Sequence, residues 1–217
     1  ADKFLKVKSI SGSGSTAIGQ LEFADGSGGV TSDAQNNTTA GTGAGASFSG
    51  TDANNNTLFG KDAGNDITTG DDNTAVGNEA LKTITTGGFN TAVGDRALTV
   101  NTADLNTAVG SLSAYSNTSG TKNTAIGQAS LYTNTTGSNN TAVGRYGLRL
   151  NTTASNNTAV GQEALTANTT GEQNVAVGAF ALDANTTAND NTAVGYHALT
   201  ANTTGYESTV IGANASK

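Results

Sequence analysis

His197 is the single histidine of the chain, and cysteine is absent. Nucleophilic catalysis needs a base held against a hydroxyl or thiol and oriented by a third group. Nothing in the sequence assembles such a set around His197. The positions 17 and 34 residues before it hold Phe180 and Glu163, so its place accepts unrelated chemistries. No catalysis is expected. Asp62, Asp66, Asp71 and Asp72 lie close together in sequence, and carboxylate oxygens suit Ca²⁺. Their spacing follows neither the EF-hand loop nor the nonapeptide calcium roll. No metal and no cofactor are therefore expected. Asn134, Asn151, Asn168, Asn185 and Asn202 each begin an Asn-Thr-Thr glycosylation sequon. They also occupy equivalent places, and a stacked ladder of amides accounts for that without modification. Tyr146, Phe180, Tyr196 and His197 form the last group. They make a candidate partner-contact ridge, with apolar bodies and polar tips suited to a glycan or a receptor.

The elements that must position these groups are written as a repeat. Copies of an Asn-Thr-Ala-Val-Gly string begin at Asn56, Asn73, Asn90, Asn106, Asn123, Asn140, Asn157, Asn174, Asn191 and Ser208. Eight of the nine spacings are 17 residues and one is 16, which is too regular for chance. A degenerate copy, Ser-Thr-Ala-Ile-Gly, starts at Ser15. Numbering columns from the Asn, the consensus is N-T-A-V-G-x-x-A-L-x-x-N-T-T-G-x-x. Column 5 is Gly in all ten copies, and columns 6 and 7 accept almost anything.

A 17-residue unit is shorter than the roughly 33 residues of a helical repeat, and its Asn, Thr and Gly content opposes helix. The expected architecture is all-β: a parallel β-solenoid of about ten coils. Columns 2–4 form a strand, with columns 8–10 and 12–14 as candidates for a second strand and a turn. The invariant Gly permits a corner. Strand alternation then assigns faces. The coil core is expected at column 4, with Phe59, Val76, Val93, Val109, Ile126, Val143, Val160, Val177, Val194 and Ile211. Column 9 adds Leu81, Leu98, Leu131, Leu148, Leu165, Leu182 and Leu199. Column 3 then points outward, and Ala75, Ala92, Ala108, Ala125, Ala142, Ala159, Ala176 and Ala193 become a candidate subunit-interface stripe. One Val and one Leu per coil are little burial against the entropy of ordering 17 residues. A homo-oligomer, trimeric or filamentous, would supply the rest.

The Ala-Ile-Gly and Ala-Val-Gly coils resemble the β-roll head of trimeric autotransporter adhesins of the YadA type. The longer N-T-A-V-G-x-x-A-L-x-x-N-T-T-G wording is similar to repeat regions of phage and bacterial tail-fibre-like proteins. The likeness covers Asn56–Gly212 well and Ser15–Gly19 weakly. It implies a left-handed roll, three chains around one axis, and an extracellular, cell-surface or virion location with an attachment or spacer role. The expected function is therefore a non-enzymatic adhesive fibre. The alternatives are a self-polymerising filament subunit, a receptor-binding phage fibre segment and, through the column-13 Thr ladder, an ice-binding solenoid.

Composition narrows the field further. Only 12% of residues are charged and the net charge is −7, with no basic stripe to bind nucleic acid. No apolar run of 18 residues would span a membrane. The aliphatic alternation of Leu5 and Val7 with Lys6 and Lys8 reads as an N-terminal strand. Between Ala24 and Asn55 the period is lost, and Gly26–Gly50 reads as an irregular insertion or cap. The domain division is thus 1–55 for strand, degenerate coil and cap, and 56–217 for the solenoid.

Overall fold

A computed structural model describes residues 5–8, 20–23, 30–49 and 52–216. The degenerate copy at Ser15 lies outside these residues. Strands β1 (Leu5–Lys8) and β2 (Gln20–Phe23) pair antiparallel in a small sheet of their own. Everything else joins one sheet of 12 strands, laid down in sequence order from β3 (Thr31–Ser32) to β14 (Thr209–Ile211). β4 (Thr38–Ala40) and β5 (Thr57–Phe59) are parallel and in register, and so is every later neighbouring pair up to β14. The protein is a β-solenoid with one three-residue strand per coil.

Three expectations change: where the solenoid starts, its second strand and the faces of its strand. First, the solenoid does not begin at Asn56. Residues Asn37–Gly41 read N-T-T-A-G, and β4 within them pairs Thr38 with Thr57 and Ala40 with Phe59. A spacing of 19 residues hides this coil from a 17-residue template. β3 folds antiparallel onto β4 and covers that edge. Second, columns 8–10 form no second strand but a run of turns. The reason is backbone handedness. Columns 7, 9 and 17 repeatedly sit at positive φ, as in Glu163 (57°), Leu165 (51°) and Gln173 (58°). At column 9 the cost of a left-handed non-glycine residue, roughly 1–2 kcal/mol, is offset by burial of its Leu, about 1.5–3 kcal/mol. Coils still bond to one another there, with Leu165 N–H donating to the Ala181 carbonyl and Glu163 N–H to that of Arg145.

At column 5 the demand for glycine is steric as well as conformational. Gly110 has φ +133°, and a Cβ on it would sit 2.7 Å from the carbonyl oxygen of Gly127 in the next coil.

The faces of the strand are the reverse of the sequence expectation. Ala75, Ala92, Ala108, Ala125, Ala142, Ala159, Ala176 and Ala193 are all 0% exposed and point into the coil. They cannot be a subunit-interface stripe. The column-4 residues Val76, Val109, Ile126, Val160, Val177 and Ile211 are exposed, and Phe59, Val93, Val143 and Val194 are half-buried. They point out and do not form the coil core. Period-2 alternation fixes which residues share a face but not which face is inside. Coil width decides that: the space behind the strand is filled by column-8 Ala and column-9 Leu, leaving room for a methyl group at column 3. A larger residue enters only when its neighbour shrinks. Leu58 at column 3 is fully buried because column 9 of that coil is Gly64, where a Cβ would come 2.7 Å from Leu58 Cδ2. Leu81, Leu98, Leu131, Leu148, Leu165 and Leu182 are fully buried, with Leu199 at 8%, so the core is the Leu and Ala columns.

Candidate functional site

Two amide ladders run through the interior and link successive coils. At column 1, the Asn140 backbone N–H and side-chain amide both donate to Asn123 Oδ1, and the amide also reaches the Ala154 carbonyl. The backbone N–H bond to the preceding Asn recurs from Asn56 to Asn191, while the side-chain amides of Asn106 and Asn123 turn instead to Asn101 and Asn117 of column 12. Asp33 closes the ladder at its first rung: its two carboxylate oxygens accept from the Asn37 backbone and side chain at 2.9 Å. At column 12, Asn134, Asn151, Asn168 and Asn185 each donate to the preceding Asn Oδ1. These four sequon asparagines are fully buried, so a glycan on any of them would unfold its coil. Asn202 is half-buried and accepts from the Gly205 N–H within its own turn. It does not reach Asn185 Oδ1, which is left without a partner. In the first two regular coils Ile67 and Ile84 fill column 12 instead.

With the interior occupied by scaffold, the outward columns hold the side chains open to a partner. The strand presents two parallel files, Thr at column 2 and Val or Ile at column 4. No charged residue enters either file between Thr57 and Ile211. Among the described residues, the hydroxyls of Thr74, Thr91, Thr124, Thr141 and Thr158 donate to no protein group, and these threonines are half-buried. Column 13 differs. There Thr118, Thr135, Thr152 and Thr169 each donate Oγ1 to the carbonyl of the equivalent Thr in the next coil, so those hydroxyls are consumed within the rod.

The second outward region is the aromatic ridge of columns 6 and 7. Phe180 and His197 stack with ring centroids 4.8 Å apart and planes within 9°. Tyr196 meets His197 edge-on at 4.3 Å and Phe180 at 6.2 Å. The coil step itself sets this stack, because column 7 of adjacent coils is about 4.8 Å apart. Tyr146 lies two coils away from Phe180, with Glu163 between them in the column. It carries two guanidinium groups, those of Arg145 at 4.1 Å and Arg149 at 4.7 Å from its ring centroid. Tyr146 is thus not in the Phe180–Tyr196–His197 cluster but shares its ridge.

Charge is sparse and local. Glu79 receives Lys82 at 3.2 Å and Arg96 at 3.1 Å. The Lys82 hydrogen bond, chiefly, holds its carboxyl below the usual range. Burial pushes the Asp183 carboxyl up, with nearby His197 acting against it. The four aspartates of the 62–72 segment do not converge. Asp62 sits 3.7 Å from Lys61, and Asp71 Oδ1 accepts from the backbone and side chain of Asn54. Among the described residues no three His, Asp or Glu side chains gather closely enough to hold a metal ion. No helix there is long and apolar enough to cross a membrane.

Sequence reasoning turned the column-2 Thr file inward with column 4, and missed the inner column-1 ladder and its Asp33 terminus. The signal for the first two was present: Asn and Thr recur at those columns as strictly as Val does. No family model matches the chain, and no curated protein or solved structure matches it.

Proposed function

We propose that the chain is a non-enzymatic structural rod of an extracellular attachment fibre, and that copies of it associate through the Thr/Val face. One observation carries the reading: a charge-free file of Val and Ile stands outward beside a file of Thr on a single in-register sheet. Solvated sheet faces are normally polar, and contiguous exposed apolar surface marks an interaction site. Nothing inside the coil requires Val at column 4, since its side chain leaves the interior. Recurrence of Val or Ile there in nine of ten copies fits a repeated external contact. Three chains around one axis, as the resemblance to adhesin heads implies, would bring three such faces together. The Ala column has no part in that contact.

Native mass spectrometry and electron microscopy test the proposal. Discrete trimers support a fibre or adhesin segment. Long filaments favour a self-polymerising subunit. A stable monomer at micromolar concentration overturns self-association.

Ice binding is the second reading, and the unpartnered hydroxyls of column 2 favour it, because they are regularly spaced and free to bond outward. Column 13, whose hydroxyls are already engaged, does not support it. Measurable thermal hysteresis would establish this reading, and its absence would remove it.

A further inference from the structure

We propose that the ridge from Tyr146 to His197 binds a neutral oligosaccharide laid along the rod axis. The inference deepens the attachment reading and rests on it.

Three features of the ridge converge. The first is an outward aromatic cluster. Tyr196 is 53% exposed, and beside it Phe180 and His197 are half-buried and stacked on each other. Aromatic rings in such positions offer flat apolar area at little entropic cost. The second is a mixture of polar groups beside the rings. Arg145 and Arg149 bring donors, and neither has a carboxylate partner among the described ion pairs. Glu163 and Asp183 bring acceptors, and the Gln162 amide donates to Glu163 at 3.2 Å. The third is spacing. Successive column-7 side chains recur at the coil step of about 4.8 Å, so the ridge is a linear series of contacts rather than one pocket.

A sugar chain fits that series. Each ring has a C–H face for an aromatic and hydroxyls that both donate and accept, matching guanidinium donors and carboxylate acceptors alike. A lipid surface would need a contiguous apolar patch, and Glu163 interrupts this one. A peptide adding as a strand would need open backbone groups, and those at columns 6 and 7 bond between coils, as Phe180 N–H does to the Gln162 carbonyl. Arg145 and Arg149 against Glu163 and Asp183 sum to no net charge, so the ridge gives an acidic saccharide no net attraction. The ligand is therefore neutral.

The test is isothermal titration of the full chain with neutral β-linked hexasaccharides of glucose, mannose and N-acetylglucosamine, and with hexagalacturonate. At least one neutral probe is expected to bind. Phe180→Ala and Tyr196→Ala should each weaken it about tenfold, the loss of one stacked ring. Phe89→Ala should leave it unchanged, because Phe89 is an exposed aromatic at column 17, four coils before that of Tyr146. All three side chains point outward, and circular dichroism would verify that the coils persist. Absence of binding to every neutral probe at several millimolar overturns the proposal. So does tighter binding of hexagalacturonate, or an equal loss in Phe89→Ala. The ridge lies within one chain, so a monomer that binds sugar would fail the self-association reading and keep this one, and a trimer that ignores every sugar would do the reverse.

Discussion

The Thr/Val face and the aromatic ridge both point outward from the same coils, yet they are written under different constraints. The face repeats Thr and Val with little variation and excludes charge. The ridge changes from Arg-Tyr to Gln-Glu, Ala-Phe and Tyr-His in four successive coils. Neither pattern is imposed by the interior, which Ala, Leu and Asn fill. A uniform outer column suits a contact that itself repeats along the axis, such as another rod. A varied outer column suits a contact made once, with a ligand whose features differ along its length. Repetition in a solenoid is thus not synonymous with core.

The largest expected effect comes from placing charge on the face. Val143→Lys with Val160→Lys should abolish self-association, because an unpaired charge buried in an interface costs roughly 3–5 kcal/mol. Tyr146→Lys on the ridge should leave the assembly intact. Sedimentation velocity distinguishes them, and equal behaviour would erase the distinction between the two regions. Next, neighbouring residues on one strand can be set against each other. Ala142→Leu should destabilise by about 1–3 kcal/mol through overpacking, while Val143→Leu should stay within about 0.5 kcal/mol in the monomer. Chemical denaturation of both variants checks the inward parity directly. Third, Asn151→Ala strands buried partners along the column-12 ladder and should cost roughly 1–2 kcal/mol. Asn202→Ala, at the frayed last rung, should cost far less, as thermal melts would reveal.

The smallest effect is electrostatic. Burial raises the Asp183 carboxyl in the folded state. Ionising it is therefore harder folded than unfolded, and stability falls slightly as pH rises through the unfolded value towards the folded one. Asp183→Asn should remove that decline. Glu79 runs the other way: its lowered carboxyl lends support that is lost as pH falls through the folded value. Melting temperatures across the acidic range, compared with Asp183→Asn, would separate the two trends.

Much of the scaffold was legible because a repeat reports its own register. Ten Gly at column 5 announce ten corners, and the 17-residue spacing announces parallel in-register strands. Other features were hidden for specific reasons. The coil at Asn37 departs from the period by two residues. The ridge could be named from its aromatics, but the stacking of Phe180 on His197 depends on the coil step. The exchange of Leu58 for Gly64, repeated by Val210 with Ser216 in the last coil, was the written clue that column 3 faces column 9, since a large residue appears in one where it disappears from the other.

By itself, the chain of letters determined the pitch, the strand and the corner, because backbone geometry and glycine requirements act locally and repeat. Only the tertiary structure decided which parity of the strand is interior. That choice depends on how wide the coil is once Leu, Ala and Asn have closed it, and width is a property of the whole turn rather than of any three residues. The same geometry moved the Val column from the core to the surface, where its recurrence becomes evidence about partners.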